Sequence, residues 1–286
     1  MPAGSGVTPA QRLAEQSNLC ARATAQADAY VNQVLRATVD TEVYRGPDYQ
    51  ATIQNGSGNG RIILARWPIL EVVSVQVAPN SVFPRQWTTI PGGHYEPEYA
   101  VIGLYGSVAP SAAGDGGQAI QIEPGWMNWS LGRNGWIFLV KYINGWPHAG
   151  ITTKATAGTS QLQVDDCTGW AITSAFSGVT GATGNVYDAT FQEVVQVTSA
   201  TATAGPGTLT LAAPLIYDHN PGVFVSTLPQ SAIWAVILFA SAMALTRGAT
   251  STTVHSVPGN ASAAGKGPED LIGEAELLLH PYRRTI

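Results

Sequence analysis

The chain has 286 residues, of which 45% are hydrophobic and 12% are charged, and its formal net charge is −5 at pH 7. This length gives one or two domains, and the charged fraction is about half of the ~25% that is typical of soluble domains. No basic cluster occurs beyond Arg283 and Arg284, so the composition excludes recognition of a nucleic-acid sequence through a basic patch.

The first predicted element is a helix that begins near Thr8. Thr8 is a capping residue, Pro9 suits the first helical position, and Gln11 can complete a capping box. The helix is predicted to extend to about Ala37. One stripe, made mostly of small side chains, recurs every three to four residues: Leu13, Ser17, Cys20, Thr24, Ala27, Val31 and Val34. Such a helix packs closely against neighbours because its side chains are small. Its own burial contributes little free energy.

Strands are predicted between residues 61 and 146. Four short apolar runs favour strands: 62–64, 67–70, 72–77 and 120–123. Pro68 indicates a strand start or an edge. Residues 79–118 are predicted to be mostly loop, and residues 136–146 form a buried strand that ends in a turn at Gly145.

Residues 151–227 have a different character and are rich in Thr, Gly, Ala and Val. Four strands separated by glycine turns predict a small antiparallel sandwich or barrel: 161–164, 193–198, 208–211 and 223–225. We therefore expect an α+β fold. Residues 1–148 and 228–286 would form a helical scaffold with a short antiparallel sheet, and residues 151–227 would form an inserted all-β domain.

Two helices are predicted after the insert. Pro229 opens an apolar helix over residues 232–245, which is too short for a membrane span of ~20 residues. A linker at 248–267 precedes a last helix, which begins at Pro268 with acidic residues in its first turn, where the helix dipole favours them. Its apolar face contains Leu271, Ile272, Ala275, Leu278 and Leu279.

The cysteines do not predict a disulfide or a metal site. Cys20 lies in a predicted helix and Cys167 in the inserted segment, so they give no disulfide framework and no Cys-x-x-Cys site, and we expect free thiols. The first residues lack the basic and apolar regions of a secretion signal, so export is not expected.

No pattern predicts catalysis, a cofactor or a metal ion. The five histidines do not recur at the helical spacing of metal ligands. Asp218 and His219, together with Asp165 and Asp166, are candidates for a metal or acid–base site, but their position in turns favours local hydrogen bonds.

Two further sets of residues are candidates for acting on or binding a carbohydrate. Glu96 and Glu98 are a carboxylate pair, but glycoside chemistry would need a cleft that the sequence does not predict. Four tryptophans could stack on a sugar ring, although core packing and interface anchoring explain them better: Trp126, Trp129, Trp136 and Trp146.

The composition favours a surface covered by partners. Protein interfaces are depleted in Lys and Glu and enriched in aromatic residues, and this chain combines little charge with 8 Trp and 10 Tyr. The alternative explanation is a general scarcity of lysine, since the chain has only Lys141, Lys154 and Lys266.

Six motifs follow one another along the chain. The first three are a helix that ends in a Tyr/Gly turn (21–46), an Arg-Trp-Pro step that leads to a Val-Ser-Val run (66–75), and an aromatic pair (Trp87 with Tyr95). The last three are a strand that ends in Gly-Trp (142–146), a Pro-led helix (228–247), and a leucine helix that closes in Pro-Tyr-Arg-Arg (277–284). In this order they resemble the head–tail connector (adaptor) proteins of long-tailed bacteriophages. The resemblance covers about 11–148 and 228–286, and the segment 151–227 departs from it.

The resemblance implies a helical connector scaffold and a structural virion protein without enzymatic activity or cofactors. About twelve copies would form a ring in the virion neck, assembled in the host cytoplasm. The ring would dock on the portal protein, contact the next neck (stopper) or tail protein, and surround a passage for DNA that is bound only non-specifically. No membrane is involved. A mildly acidic, lysine-poor channel would let the duplex slide, and the inserted domain would face outward.

Two alternatives belong to other classes of protein. The chain could be a carbohydrate- or receptor-binding virion protein that acts through residues 151–227. It could also be an enzyme with a cleft that the sequence does not reveal. Glycan binding that is lost when residues 151–227 are deleted would favour the first alternative, and a metal ion or cofactor that copurifies with the chain would favour the second.

Overall fold

The computed structural model of the chain describes nine segments: residues 8–45, 60–79, 82–91, 95–98, 119–122, 136–172, 181–188, 190–248 and 267–283. Most of the predicted loop at 79–118 and of the predicted linker at 248–267 lies outside these residues, as do Trp126 and Trp129. The chain divides into a helical unit, residues 1–34 and 229–286, and a β unit, residues 35–228.

The helical unit contains α1 (Pro9–Val31), α2 (Gln230–Gly248), α3 (Pro268–Leu279) and a short 3-10 helix (His280–Tyr282). The predicted capping box is confirmed, since the Gln11 amide donates to Thr8 Oγ1 at 3.2 Å and the Thr8 amide donates to Gln11 Oε1 at 2.8 Å. α1 ends earlier than predicted. Asn32 adopts the left-handed conformation, which terminates a helix.

Small side chains form the contacts among the three helices. α2 packs against both α1 and α3. The buried residues are mainly alanines: Ala23, Ala27, Val31, Ala232, Ala235, Leu238, Phe239, Ala242, Ala275 and Leu279. Of the stripe predicted for α1, Ala27 and Val31 are buried, whereas Leu13, Ser17, Cys20 and Thr24 are exposed. The first half of α1 is therefore not part of this core.

The first part of the β unit forms two antiparallel sheets. The strands are β1 (Thr38–Arg45), β2 (Gly60–Ile63), β3 (Ile69–Pro79), β4 (Thr88–Ile90), β5 (Tyr95–Glu98), β6 (Ala119–Ile122) and β7 (Trp136–Asn144). One sheet has the order β1-β7-β3-β4 and the other the order β2-β6-β5. The predicted start of a strand after Pro68 is confirmed, and the two runs at 69–70 and 72–77 belong to one strand, β3.

The second part forms a six-stranded antiparallel sheet. The strands are β8 (His148–Gly150), β9 (Gln161–Val164), β10 (Thr183–Tyr187), β11 (Gln192–Ala200), β12 (Gly207–Leu211) and β13 (Phe224–Ser226), in the order β8-β13-β10-β11-β12-β9. Its two edges meet, because the Thr152 amide donates to Gln163 O at 2.9 Å and the Asp165 amide to Gly150 O at 3.0 Å. The sheet therefore curls into a barrel around Trp170, which is fully buried.

The predicted fold class, an α+β helical connector scaffold with a short antiparallel sheet and an inserted all-β domain, is wrong. The described residues are mostly β, with main sheets of four and six strands and only three α-helices. The sequence patterns predicted no strand at residues 38–45, but α1 stops at Asn32 and these residues pair along β7 as β1. The insert has two predicted boundaries: the one at 148–151 falls inside the β unit, and the one at 227–228 lies at its end. The predicted division into domains stays a prediction.

Gly181 lies where the chain enters β10, at a position where the barrel leaves no room for a side chain. Its φ is +92°, and a Cβ at this position would lie 1.6 Å from the carbonyl oxygen of Val197. We expect Gly181→Ala to lower the free energy of unfolding by more than ~3 kcal/mol, because backbone must move to relieve the clash. Denaturant titration of the purified variant measures the loss.

Gly222 provides the matched control. Its φ is +91°, but a Cβ there would meet no atom within 4 Å. Gly222→Ala should therefore cost only the left-handed backbone penalty of about 1–2 kcal/mol. Equal losses in Gly181→Ala and Gly222→Ala would contradict the steric explanation.

Candidate functional site

His219 is fully buried in the barrel between two carboxylates. Its Nδ1 lies 3.2 Å from Asp188 Oδ2, and its Nε2 lies 2.7 Å from Glu193 Oε1. Glu193 is held in turn by the backbone amides of Ile216 and Tyr217, which donate to its two oxygens at 2.8 and 3.3 Å. These contacts fasten the segment after β12 to the strands β10 and β11.

The geometry gives this group a structural role. Both ring nitrogens of His219 face carboxylate oxygens, so neither nitrogen is available to a substrate or a metal ion; a protonated ring donates to both carboxylates and a neutral ring to only one. The His219 backbone pairs with Ala155 in both directions, at 2.8 and 2.9 Å. Asp218 points elsewhere, and its Oδ2 accepts from Lys154 Nζ at 2.9 Å on the surface.

Asp165 and Asp166 belong to a different group, centred on Arg36. Arg36 Nη2 lies 2.8 Å from Asp166 Oδ2 and 3.9 Å from Asp165 Oδ1. Burial acts to raise the pKa of Asp166, but hydrogen bonds from Thr168, the Arg36 charge and the Gly205 amide together hold it below its usual value. This group shares no residue with the group around the buried histidine, so the structure does not assemble the two predicted Asp pairs into one site.

His148, the first residue of β8, lies beside the Arg36 group. Its Nδ1 is buried and has no hydrogen-bond partner among the described atoms. Its ring contacts the ring of Phe224, with 5.2 Å between the centroids. Burial, reinforced by the Arg36 charge, lowers the pKa of His148 to about 4, although Asp165 and Asp166 act in the opposite direction. The ring is therefore neutral at pH 7.

A further polar group, which the sequence patterns did not indicate, lies on the four-stranded sheet. The Tyr142 hydroxyl donates to Glu42 Oε1 at 2.5 Å, and Glu42 Oε2 accepts from the Tyr44 hydroxyl and from the Ala65 amide. The Arg66 amide donates to the Tyr142 hydroxyl at 3.2 Å. Burial, together with the bond to Glu42, raises the pKa of Tyr142 well above its usual value. The group fixes the chain before β3 onto β1 and β7.

The remaining candidates do not converge on a catalytic or metal site. In the described segments, no group of three or more His, Cys, Asp or Glu side chains is placed to hold a metal ion. Trp146 packs edge to face against Trp67, with ring centroids 5.8 Å apart. Glu96 and Glu98 lie in β5, whose backbone pairs with β6.

The cysteines are both free thiols. Cys20 is exposed on α1, and Cys167 is buried in the barrel. Burial raises the pKa of Cys167, which keeps it protonated and unreactive at neutral pH. As for membranes, the helices of the described segments fall short of the combined length and apolarity that a span requires.

The helical unit exposes an apolar surface on α2. Trp234, Ile237 and Leu245 are 49%, 44% and 37% exposed and recur at helical spacing. Ser241 lies between them, and its Oγ donates to Ile237 O at 2.8 Å, so its hydroxyl is already paired within the helix. We call these four residues the α2 face.

The barrel exposes a second apolar surface. The rings of Phe191 and Tyr217 stack with centroids 4.6 Å apart and planes 10° apart. Phe191 is 47% exposed and Tyr217 37%, and Ile216 next to Tyr217 is 69% exposed. Exposed patches of this kind mark interaction sites more often than isolated exposed residues do. The two aromatic residues are far apart along the chain, so no sequence pattern indicates this pair.

Comparison with known proteins gives no relative. No protein-family model, curated protein or solved structure matches the chain.

The lowered pKa of His148 predicts a loss of stability in mild acid. The unfolded chain binds a proton at this residue below pH ~6.5, whereas the folded chain does so only near pH 4, so stability falls as the pH drops through this window. The loss should be on the order of 3 kcal/mol. The glutamine of His148→Gln cannot titrate. Between pH 7 and pH 4, the free energy of unfolding of this variant, measured by denaturant titration, should therefore fall by less than that of the wild type, and the difference should equal the loss caused by His148. Parallel pH dependences in the wild type and the variant would show that His148 does not cause the effect.

Proposed function

We propose that the chain is a structural virion protein that forms a ring-shaped head-to-tail adaptor. The ring connects the portal to the next neck or tail protein and surrounds a passage for DNA. The order of motifs along residues 11–148 and 228–286 supports this assignment. The observation that carries it is the α2 face, whose apolar side chains are exposed.

The α2 face has the chemistry of a subunit interface. α2 has no charged residue before Arg247, so its exposed side lacks the charged residues that usually solvate a surface helix. A helix that is apolar on all sides is normally buried. Tryptophan in particular is enriched among the residues that dominate binding energy at protein interfaces.

The helical core of the unit points to the same conclusion. Its buried side chains are mainly alanines, which bury little area each. At about 25 cal/mol per Å² of apolar surface, such a core stabilises three helices only weakly. A neighbouring subunit on the α2 face would supply the missing burial, and cyclic assembly provides a neighbour for every copy.

The double variant Trp234→Glu/Ile237→Glu tests this function. Both side chains are partly exposed, so the monomer should fold, but two carboxylates in a dry interface should weaken assembly by more than ~100-fold. We expect the wild type to form rings that are visible by electron microscopy, and the variant to sediment as a monomer at micromolar concentration.

Val194→Glu is the matched control for this test. Val194 is 69% exposed on β11, outside the helical unit, so the same change there should leave the rings intact. Wild-type protein that stays monomeric, both alone and with the portal protein, would refute the proposed function.

The alternative function, carbohydrate or receptor binding through the barrel, is favoured by one observation, the exposed stack of Phe191 and Tyr217. Aromatic rings with one open face are suited to apolar contact with a ligand. If this function holds, the wild type binds host-cell glycans or receptors, and Phe191→Ala/Tyr217→Ala loses at least ~10-fold in affinity. Rings that form without any binding to host cells would reject the alternative.

A further inference from the structure

Four neighbouring strands of the barrel present an outer face without charge. β9, β10, β11 and β12 contain a single charged residue, Glu193, and its side chain is turned inward to His219. The residues that alternate outward carry amide or hydroxyl groups, apart from one valine: Gln161, Gln163, Thr183, Asn185, Tyr187, Gln192, Val194, Gln196, Thr198, Thr208 and Thr210. About 25–35% of the residues on a well-solvated protein surface are charged. This face therefore offers hydrogen-bonding groups in place of charge.

The absence of charge decides which class of partner this face suits. Nucleic acids and acidic polymers are bound through Lys and Arg side chains, and these four strands contain neither residue. Specific protein partners are oriented by complementary charges. An amide group, by contrast, both donates and accepts hydrogen bonds, as a hydroxyl group does. The face therefore suits an uncharged ligand that is covered with hydroxyl groups, which is the chemistry of a neutral polysaccharide.

Three of the amides lie together on β10 and β11. The register places Asn185 opposite Val194, and Gln192 and Gln196 lie two residues to either side of Val194 along β11. The side-chain amides of Asn185, Gln192 and Gln196 make no hydrogen bond to another described residue, so their donors and acceptors are available to a ligand. Val194 is 69% exposed among them and adds apolar contact area. We call these four residues the amide cluster.

The exposed stack of Phe191 and Tyr217 lies next to the amide cluster. Phe191 directly precedes Gln192, so the stack is at the end of β11 where the cluster begins. Large aromatic rings supply apolar contact area, and a sugar ring has an apolar C–H face as well as hydroxyl groups at its edge. The stack and the cluster together match both parts of a sugar ring.

The buried group around His219 holds the stack in place from both sides. Asp188 accepts from the Thr190 amide at 3.0 Å, and Glu193 accepts from the Tyr217 amide at 3.3 Å. The His219 ring links these two carboxylates. A site that is already rigid loses less conformational entropy when a ligand binds. The geometry is therefore that of a preorganised platform.

We propose that this end of the barrel binds a neutral polysaccharide. Phe191 and Tyr217 contact the apolar face of a sugar ring, and Asn185 and Gln192 hydrogen-bond to hydroxyl groups along the polymer. The inference does not depend on the ring function, because assembly uses the helical unit and this binding uses the β unit. It names the ligand class and the polar contacts for the binding surface that was considered above as the alternative function.

Affinity electrophoresis of the full chain tests the ligand class. The protein migrates through native gels that contain increasing amounts of dextran, mannan or galactan, and through gels that contain alginate, an acidic polymer. We expect at least one of the three neutral polymers to retard the wild type, and alginate to leave its migration unchanged. Since the contact involves no charge, the retardation should persist as salt rises from about 0.05 to 0.5 M.

Two double variants test the residues that make the contact. Phe191→Ala/Tyr217→Ala removes the apolar contact and should raise the dissociation constant for the retarding polymer at least ~10-fold. Asn185→Ala/Gln192→Ala removes hydrogen-bonding groups and should raise it at least ~5-fold. Circular dichroism verifies that both variants keep the fold of the wild type.

Gln161→Ala is the matched control. Gln161 is an exposed amide on β9, which β12 separates from β11, so its removal should leave binding unchanged. An equal loss in Gln161→Ala and in Asn185→Ala/Gln192→Ala would contradict the assignment of binding to the amide cluster.

The outcomes separate this inference from the proposed function. Retardation by none of the neutral polymers, by alginate alone, or only at low salt would overturn the inference, and so would binding that both double variants retain. Rings that are lost in Phe191→Ala/Tyr217→Ala would assign the stack to a subunit interface and would also overturn it. A monomer that binds a neutral polymer would refute the ring function and support this inference, whereas rings without polysaccharide binding would do the reverse.

Discussion

The short parallel pairing of residues 35–37 with residues 145–147 is the constraint on which the β unit depends. Trp146 donates its amide to Leu35 O at 2.9 Å, and Ala37 donates its amide to Trp146 O at 2.8 Å. Gly145 makes this approach possible, since its φ is +90° and a Cβ there would lie 2.6 Å from Arg36 O. β1 begins just after residues 35–37, and β8 begins just after residues 145–147. Both main sheets therefore start from the same point, and its geometry sets their connection.

Strands could be predicted where one face of the strand is apolar and buried. β9 and β11 bury alternate residues, and β9 was predicted from the alternation of its polar and apolar residues. β1 has the opposite polarity. Val39 and Val43 are 40% and 47% exposed, whereas Glu42 faces the buried hydroxyl of Tyr142. A strand that turns its polar residues inward does not have the expected apolar face, so the alternation pattern did not predict β1.

The polar groups could be predicted only where their contacts are local. Asp166 accepts from Thr168, two residues away, in the kind of turn for which aspartate is suited. His219 instead pairs with Asp188 and Glu193, which lie 31 and 26 residues away. Asp188 and Glu193 come together because β10 pairs with β11, and the spacing of residues along the chain does not encode the register of that pairing. The sequence therefore identified the histidine but not its partners.

The small side chains of the helical core limit how much the helical unit gains from folding alone. Ala23, Ala27 and Ala235 let the helices approach closely, but each contributes far less buried area than a leucine would. Ordering a residue costs about 1–2 kcal/mol in backbone entropy, so these small side chains offset little of the cost of ordering the three helices. The α2 face holds further apolar area that is exposed. In the ring that we propose, covering this face adds burial to the folded state alone, so the stability of the helical unit should rise with protein concentration. Folding and assembly of this unit would then be one coupled equilibrium.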